Sequence, residues 1–96
     1  MLYHIVKPEY WALFADQDLY TPETFEQEGF IHLSTQEQVS GVLDRYYSGI
    51  RPLILLHLDE TKFSFPLKYE PSMGNELFPH LYGSLNKDAI VTISEL

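Results

Sequence analysis

The sequence predicts a small α+β domain, on three observations. Helical spacing of apolar residues is concentrated in the first half of the chain, while strand-like runs crowd the second half. The order reads β-α-α-β-α-β and then strands and loops, which argues against a doubly wound parallel sheet. No linker, internal repeat or low-complexity stretch interrupts the 96 residues, so they are expected to form one domain, 1–96.

Leu2 to Val6 reads as a first strand, ended by Lys7-Pro8. Pro8 suits a first helical turn, where its missing N–H costs nothing. Glu9 to Asp16 then reads as a helix carrying Tyr10, Trp11, Leu13 and Phe14, and Asp16 to Tyr20 as a loop. Thr21-Pro22-Glu23-Thr24 repeats the helix-start signal, and Gly29 stops that short helix. Phe30 to Ser34 is a second strand, with Phe30, His32 and Ser34 on one face and Ile31 and Leu33 on the other. Ser34-Thr35-Gln36-Glu37 matches a capping box for the clearest helix, whose Val39, Val42, Leu43, Tyr46 and Tyr47 recur at helical spacing before Ser48-Gly49 ends it. Leu53 to Leu58 is nearly all apolar and so reads as a central strand. Phe63 to Tyr69 holds a further strand that Pro66 confines to an edge, and Pro71 to Asn75 is a loop. Pro79 is expected to break any regular ladder in Leu77 to Tyr82, and Ala89 to Ile93 closes the chain as a strand.

The net charge is −8, and the six basic residues form no run. Nucleic-acid affinity comes largely from Lys and Arg neutralising phosphates, so nucleic acid is rejected as the main partner. Without cysteine there is neither a disulfide scaffold nor a thiolate metal site. The longest apolar run, Leu53 to Leu56, is far too short to span a bilayer, so no membrane partner is expected. Met1 to Pro8 lacks the basic start and long apolar stretch of a signal peptide, which makes the cytoplasm the expected compartment. Aromatic residues make up 15% of the chain, enough to thicken a small core and to favour a flat ligand.

The candidate chemistry lies in the histidines, His4, His32, His57 and His80. His57, inside an apolar run, reads as a structural histidine. His4, His32 and His80 are each either hydrogen-bonded within the fold or, as a set, convergent on one cleft. His80 sits in Phe78-Pro79-His80-Leu81-Tyr82-Gly83, which reads as a shaped loop. Three histidines and an acid could hold zinc, but the spacing matches no metal motif and no metal is expected. His32-Leu33-Ser34 is a lone His-x-Ser element, a weak signal for phosphoester chemistry. No glycine-rich phosphate loop is present, so an ordinary Rossmann or NTPase site is excluded.

Several segments together resemble the bacterial domain-of-unknown-function family 952 (DUF952) over nearly the whole length. They are Tyr3-His4-Ile5-Val6, Trp11, Tyr20 with Pro22, and Glu28-Gly29-Phe30-Ile31-His32-Leu33-Ser34, then Arg45-Tyr46-Tyr47, the Leu53 to Asp59 strand and Phe78-Pro79-His80-Leu81-Tyr82-Gly83. That family is similar in layout to ADP-ribosyltransferase-like folds, most of all the RNA 2'-phosphotransferases. The resemblance implies split β-sheets with short helices and a small-molecule ligand such as NAD or an ADP-ribose-type nucleotide.

Carried over, His4 would contact the ribose and amide of a nicotinamide nucleotide, with His32 or Ser34 at the second-strand position. Glu76 is the nearby candidate for a third-strand acid, although its local motif does not match. The catalytic set is then His32, His80 and Glu76, and the ligand-binding set His4, Tyr20, Ser34, Arg45 and Tyr82. Cleaving a nicotinamide–ribose bond passes through an oxocarbenium-like state, which a carboxylate stabilises and aromatic clamps position. Tyr20, Tyr82 and Trp11 are candidate clamps, with core packing favoured for Trp11. Arg45 would either pair with a pyrophosphate or cap its own helix. The arginines and basic module of the phosphotransferases are missing, so tRNA is not expected as substrate. The rival class is a non-enzymatic module that binds a small ligand or a protein on the same fold, and a metal enzyme ranks third.

Overall fold

The apolar segments near both chain ends assemble first into one sheet. A computed structural model describes residues 1–96, apart from the side chain of Met73. Strand β1 (Leu2–Val6) pairs antiparallel with β4 (Ile54–Leu58), which pairs antiparallel with β8 (Ile90–Glu95). As its near-continuous apolar run implies, β4 is central and buried on both faces. Leu56 and Leu58 join one core with Leu2, Val6, Ile31, Leu33, Leu81 and Leu85. Leu53 and Leu55 join a second core with Ile5, covered by helix α3 (Val39–Tyr46) through Val39, Val42 and Leu43.

A second antiparallel sheet has the order β3-β6-β5, from β3 (Ile31–His32), β6 (Leu77–Leu81) and β5 (Leu67–Pro71). The two sheets meet where the chain leaves β3. Ser34 and Tyr3 exchange both backbone hydrogen bonds at 2.8 Å, so the 31–34 segment touches β6 at one end and β1 at the other. This is a mixed α+β arrangement of several antiparallel sheets, as expected.

Local expectations fared unevenly. The Glu9–Asp16 helix is shorter, an α-turn α1 (Pro8–Trp11) followed by a 3₁₀ turn Ala12–Phe14. Within the expected loop, Leu19–Tyr20 forms strand β2, paired with β7 (Leu85–Asn86). Two-residue strands have no periodicity to read, and this one exists only because its partner lies far along the chain. Helix α2 (Phe25–Glu28) ends at Gly29, whose φ of 78° is left-handed, as the stop signal implies. The capping box is displaced by one residue, to Thr35 and Gln38 instead of Ser34 and Glu37. Pairing with Tyr3 already engages the Ser34 backbone, so the helical turn starts after it.

The largest correction concerns Leu77 to Tyr82. Far from being an irregular loop, it contains the central strand of the second sheet, with Pro79 in its middle. The Pro79 carbonyl accepts from Leu33 N–H at 2.9 Å. In a strand, a residue's N–H and C=O point the same way, so the donor that proline lacks would face the end of the short β3 ladder. No interior β5–β6 bond is lost. The edge position of β5 follows the expectation from Pro66, although the strand begins after that proline. Among the described residues no helix is long and apolar enough to cross a membrane.

After β6 the chain turns at Gly83, where φ is 156° and a Cβ would lie 2.1 Å from Phe65 Cγ and 2.5 Å from Phe65 Cβ. Phe65 Cβ is fixed to its backbone, so turning the ring about χ1 does not relieve the clash. Gly83→Ala is therefore expected to destabilise the fold by roughly 1–3 kcal/mol in chemical denaturation, and Phe65→Ala in the same chain to recover part of that loss.

Candidate functional site

Alternation on β1 turns His4 inward with Leu2 and Val6, away from Tyr3 and Ile5. The imidazole is buried at 7% exposure, and both of its nitrogens have partners. Nδ1 lies 2.9 Å from the His32 carbonyl oxygen, and Nε2 lies 2.9 Å from the Tyr20 hydroxyl. A carbonyl can only accept, so Nδ1 carries the proton and Nε2 accepts from Tyr20. Burial pushes the His4 pKa down to about 4, so the ring is neutral at pH 7. Tyr20 is 1% exposed, and burial raises the pKa of its hydroxyl. Trp11 and Phe14 pack edge-on against the Tyr20 ring at 5.3 and 5.1 Å.

His4, Tyr20, His32 and Ser34 line one cavity of about 640 Å³ between the two larger sheets and α3. Tyr10, Tyr47 and Phe78 add aromatic walls, and Glu23, Glu28 and Lys7 add charge. At its edge His32 is half exposed, with Nε2 2.9 Å from the Glu28 carboxylate. That hydrogen bond holds the Glu28 carboxyl below its usual range.

His80 and Tyr82 belong to an adjoining cluster and do not line the cavity. His80 is directly opposite His32 in the β3–β6 register, with ring centroids 5.0 Å apart. It is 3% exposed, stacks on Phe30 at 4.2 Å, and donates from Nδ1 to Glu70 at 2.9 Å. Its Nε2 is buried without a partner. Tyr82 also donates to Glu70, and the two donors hold the Glu70 carboxyl below its usual range. The three histidines are therefore connected: His4 touches the His32 backbone, and the His32 ring touches His80.

Two candidates fall outside the site. Arg45 is exposed on α3 and absent from the cavity wall, because its helix turns Val42, Tyr46 and Tyr47 toward the cleft instead. Glu76 is exposed and accepts from Gln38 Nε2 at 2.9 Å, tying β6 to the turn before α3. His57 is structural, 2.8 Å from Ser94 Oγ and packed edge-on against Tyr3. Sequence reasoning missed the carboxylates Glu28 and Glu70. Glu28 is four residues before His32, a spacing that a turn at Gly29 closes, so the segment held a signal. Glu70 meets His80 only through strand register, which nothing local announces. Among the described residues no group of three or more His, Cys, Asp or Glu is arranged to hold a metal ion.

Fold and site together define an α+β domain with a histidine- and tyrosine-lined cleft between small antiparallel sheets. Residues 5–93 match the family described as "Protein of unknown function (DUF952)", and the chain belongs to that family. It is similar to the crystal structure of protein CC0527 from Caulobacter crescentus, with 29% identity and a TM-score of 0.89, covering 99% of this chain and 84% of that one. The solution NMR structure of CC0527 is similar too, with 29% identity and a TM-score of 0.84, covering 99% of this chain and 83% of that one. No curated protein matches the chain.

The buried His4 has a consequence for acid stability. Its folded pKa of about 4 lies below the ordinary 6.5, so between those values the unfolded chain binds more protons. Its contribution is fully present above pH 6.5 and is lost as pH falls toward 4, amounting to about 3 kcal/mol. His4→Gln is expected to lower stability at pH 7 yet flatten the decline between pH 6.5 and 4 in urea titrations. An unchanged decline would show that His4 is not the group responsible.

Proposed function

We propose that this is an ADP-ribosyltransferase-like domain whose cleft binds a nicotinamide nucleotide or an ADP-ribose-type ligand. The observation that carries the reading is the meeting of His4, His32 and Tyr20, from three separate strands, in one cavity of about 640 Å³. That volume falls in the range of small-molecule sites. Its tyrosine and phenylalanine walls suit a flat heteroaromatic ring, and Ser34 and His32 supply polar groups for a ribose. His4 acts through others: both of its nitrogens are engaged, so it positions Tyr20 and the β3 backbone, and a ligand reaches it only by displacing the Tyr20 hydroxyl.

For transfer or hydrolysis of ADP-ribose, His32 with Glu28 is the acid–base pair at the cleft edge. The alternative is a binding module without turnover. One observation favours it: Glu76, the expected acid, is turned away from the cavity toward Gln38. The acidic surface fits a small ligand better than a polyanion such as tRNA. A cytoplasmic setting, suggested by the absence of cysteine, belongs to the same proposal.

A proton NMR titration of the four histidines with NAD and ADP-ribose, followed over hours for free nicotinamide, tests both readings. His32 is expected to shift most, His4 and His80 less, and His57 not at all. Nicotinamide release would establish turnover, and shifts without release would establish the binding module. No shift at any histidine would overturn the ligand assignment.

A further inference from the structure

The charge distribution in the cleft narrows the ligand beyond that reading. A nicotinamide nucleotide has two unlike ends, a pyridinium ring carrying positive charge and phosphates carrying negative charge. The lining suits them unequally. Among its described residues Lys7 is the sole lysine or arginine, while Glu23 and Glu28 bring carboxylates. His4 adds no positive charge at pH 7, because burial keeps it neutral. Glu28 is engaged by His32, whereas no ion pair among the described residues involves Glu23.

The tyrosines around Glu23 are the second half of the argument. Burial raises the pKa of the Tyr10, Tyr20 and Tyr47 hydroxyls, and the negative charge of Glu23 adds to the effect at all three. Tyr10, Tyr20 and Tyr47 line the same cavity as Glu23, so its carboxylate and their rings border one space. Ring faces attract cations through their quadrupole, and a nearby carboxylate reinforces that attraction. A pyrophosphate in the same space would meet Glu23 and Glu28 with Lys7 as compensation. The net charge of −8 repels it further at long range.

We infer that the cleft takes a phosphate-free pyridinium nucleoside, a cationic heteroaromatic ring joined to ribose, in preference to the phosphorylated nucleotide or dinucleotide. This rests on the nicotinamide half of the proposed function alone: it keeps the pyridinium ring and ribose as the recognised part and departs from the ADP-ribose-type ligand. The aromatic walls hold the ring, Glu23 complements its charge, and the polar groups at Ser34 and His32 meet the ribose.

Calorimetric titrations of the full chain with nicotinamide riboside, nicotinamide mononucleotide, NAD and ADP-ribose test it. The riboside is expected to bind roughly tenfold more tightly than the mononucleotide, with the gap shrinking as salt is added. Glu23 is exposed, so Glu23→Gln leaves the fold intact while removing the charge. It should weaken riboside binding about fivefold and narrow the gap to the mononucleotide. Equal or tighter mononucleotide binding, or an unchanged ratio in Glu23→Gln, overturns the inference. Binding of NAD or ADP-ribose without the riboside would overturn it and leave the proposed function standing, whereas binding of none of the four removes both.

Discussion

The buried imidazole of His4 is the joint on which the rest of the structure depends. From β1 it donates to the carbonyl of His32 in β3 and accepts from the hydroxyl of Tyr20 in β2. Each of those strands belongs to a different sheet, so one neutral ring links all three. Each bond supplies a partner to a polar group that would otherwise be buried alone, an omission that costs more than the bond itself contributes. The Tyr3–Ser34 backbone pair lies beside this joint and fixes the same two strand segments from the other side.

Sheets held at a joint leave a space between them, and the cleft is that space. Its floor is rigid because His4 and Tyr20 are held by hydrogen bonds and by the packing of Trp11 and Phe14. Its edge is more open, with His32 exposed and oriented by Glu28. A second layer behind that edge contains His80, Glu70 and Tyr82, in which one carboxylate receives two donors. The unpartnered Nε2 of His80 is the one orphaned buried side-chain polar atom among the described residues, and it adjoins the ring of His32. Buried polar atoms are seldom left without a partner, which sets this nitrogen apart from the other polar groups of the cluster.

The segment Phe78 to Gly83 shows how a sequence rule can be sound and its application mistaken. Proline does lack a ladder donor, and central strands do avoid it. Here β3 pairs over so few residues that the missing donor of Pro79 faces the end of that ladder, while its carbonyl still serves Leu33. The adjacent glycine has a separate cause, the close approach of Phe65. Both features follow from the neighbours of the segment and not from the segment itself.

The sequence by itself determined the elements whose signals are local. The apolar run of β4, the periodicity of α3 and the stop at Gly29 follow from composition and spacing within a few residues. The segments around His4, His32 and His80 also sufficed to suggest the family. Tertiary structure decided everything that rests on register between distant segments. It formed the β2–β7 pair, placed Glu70 on His80, and turned Arg45 and Glu76 away from the cleft. Spacing along the chain reports the face of an element on which a residue lies. Only the pairing of strands far apart in sequence determines which side chain meets that face, and the site is built from such meetings.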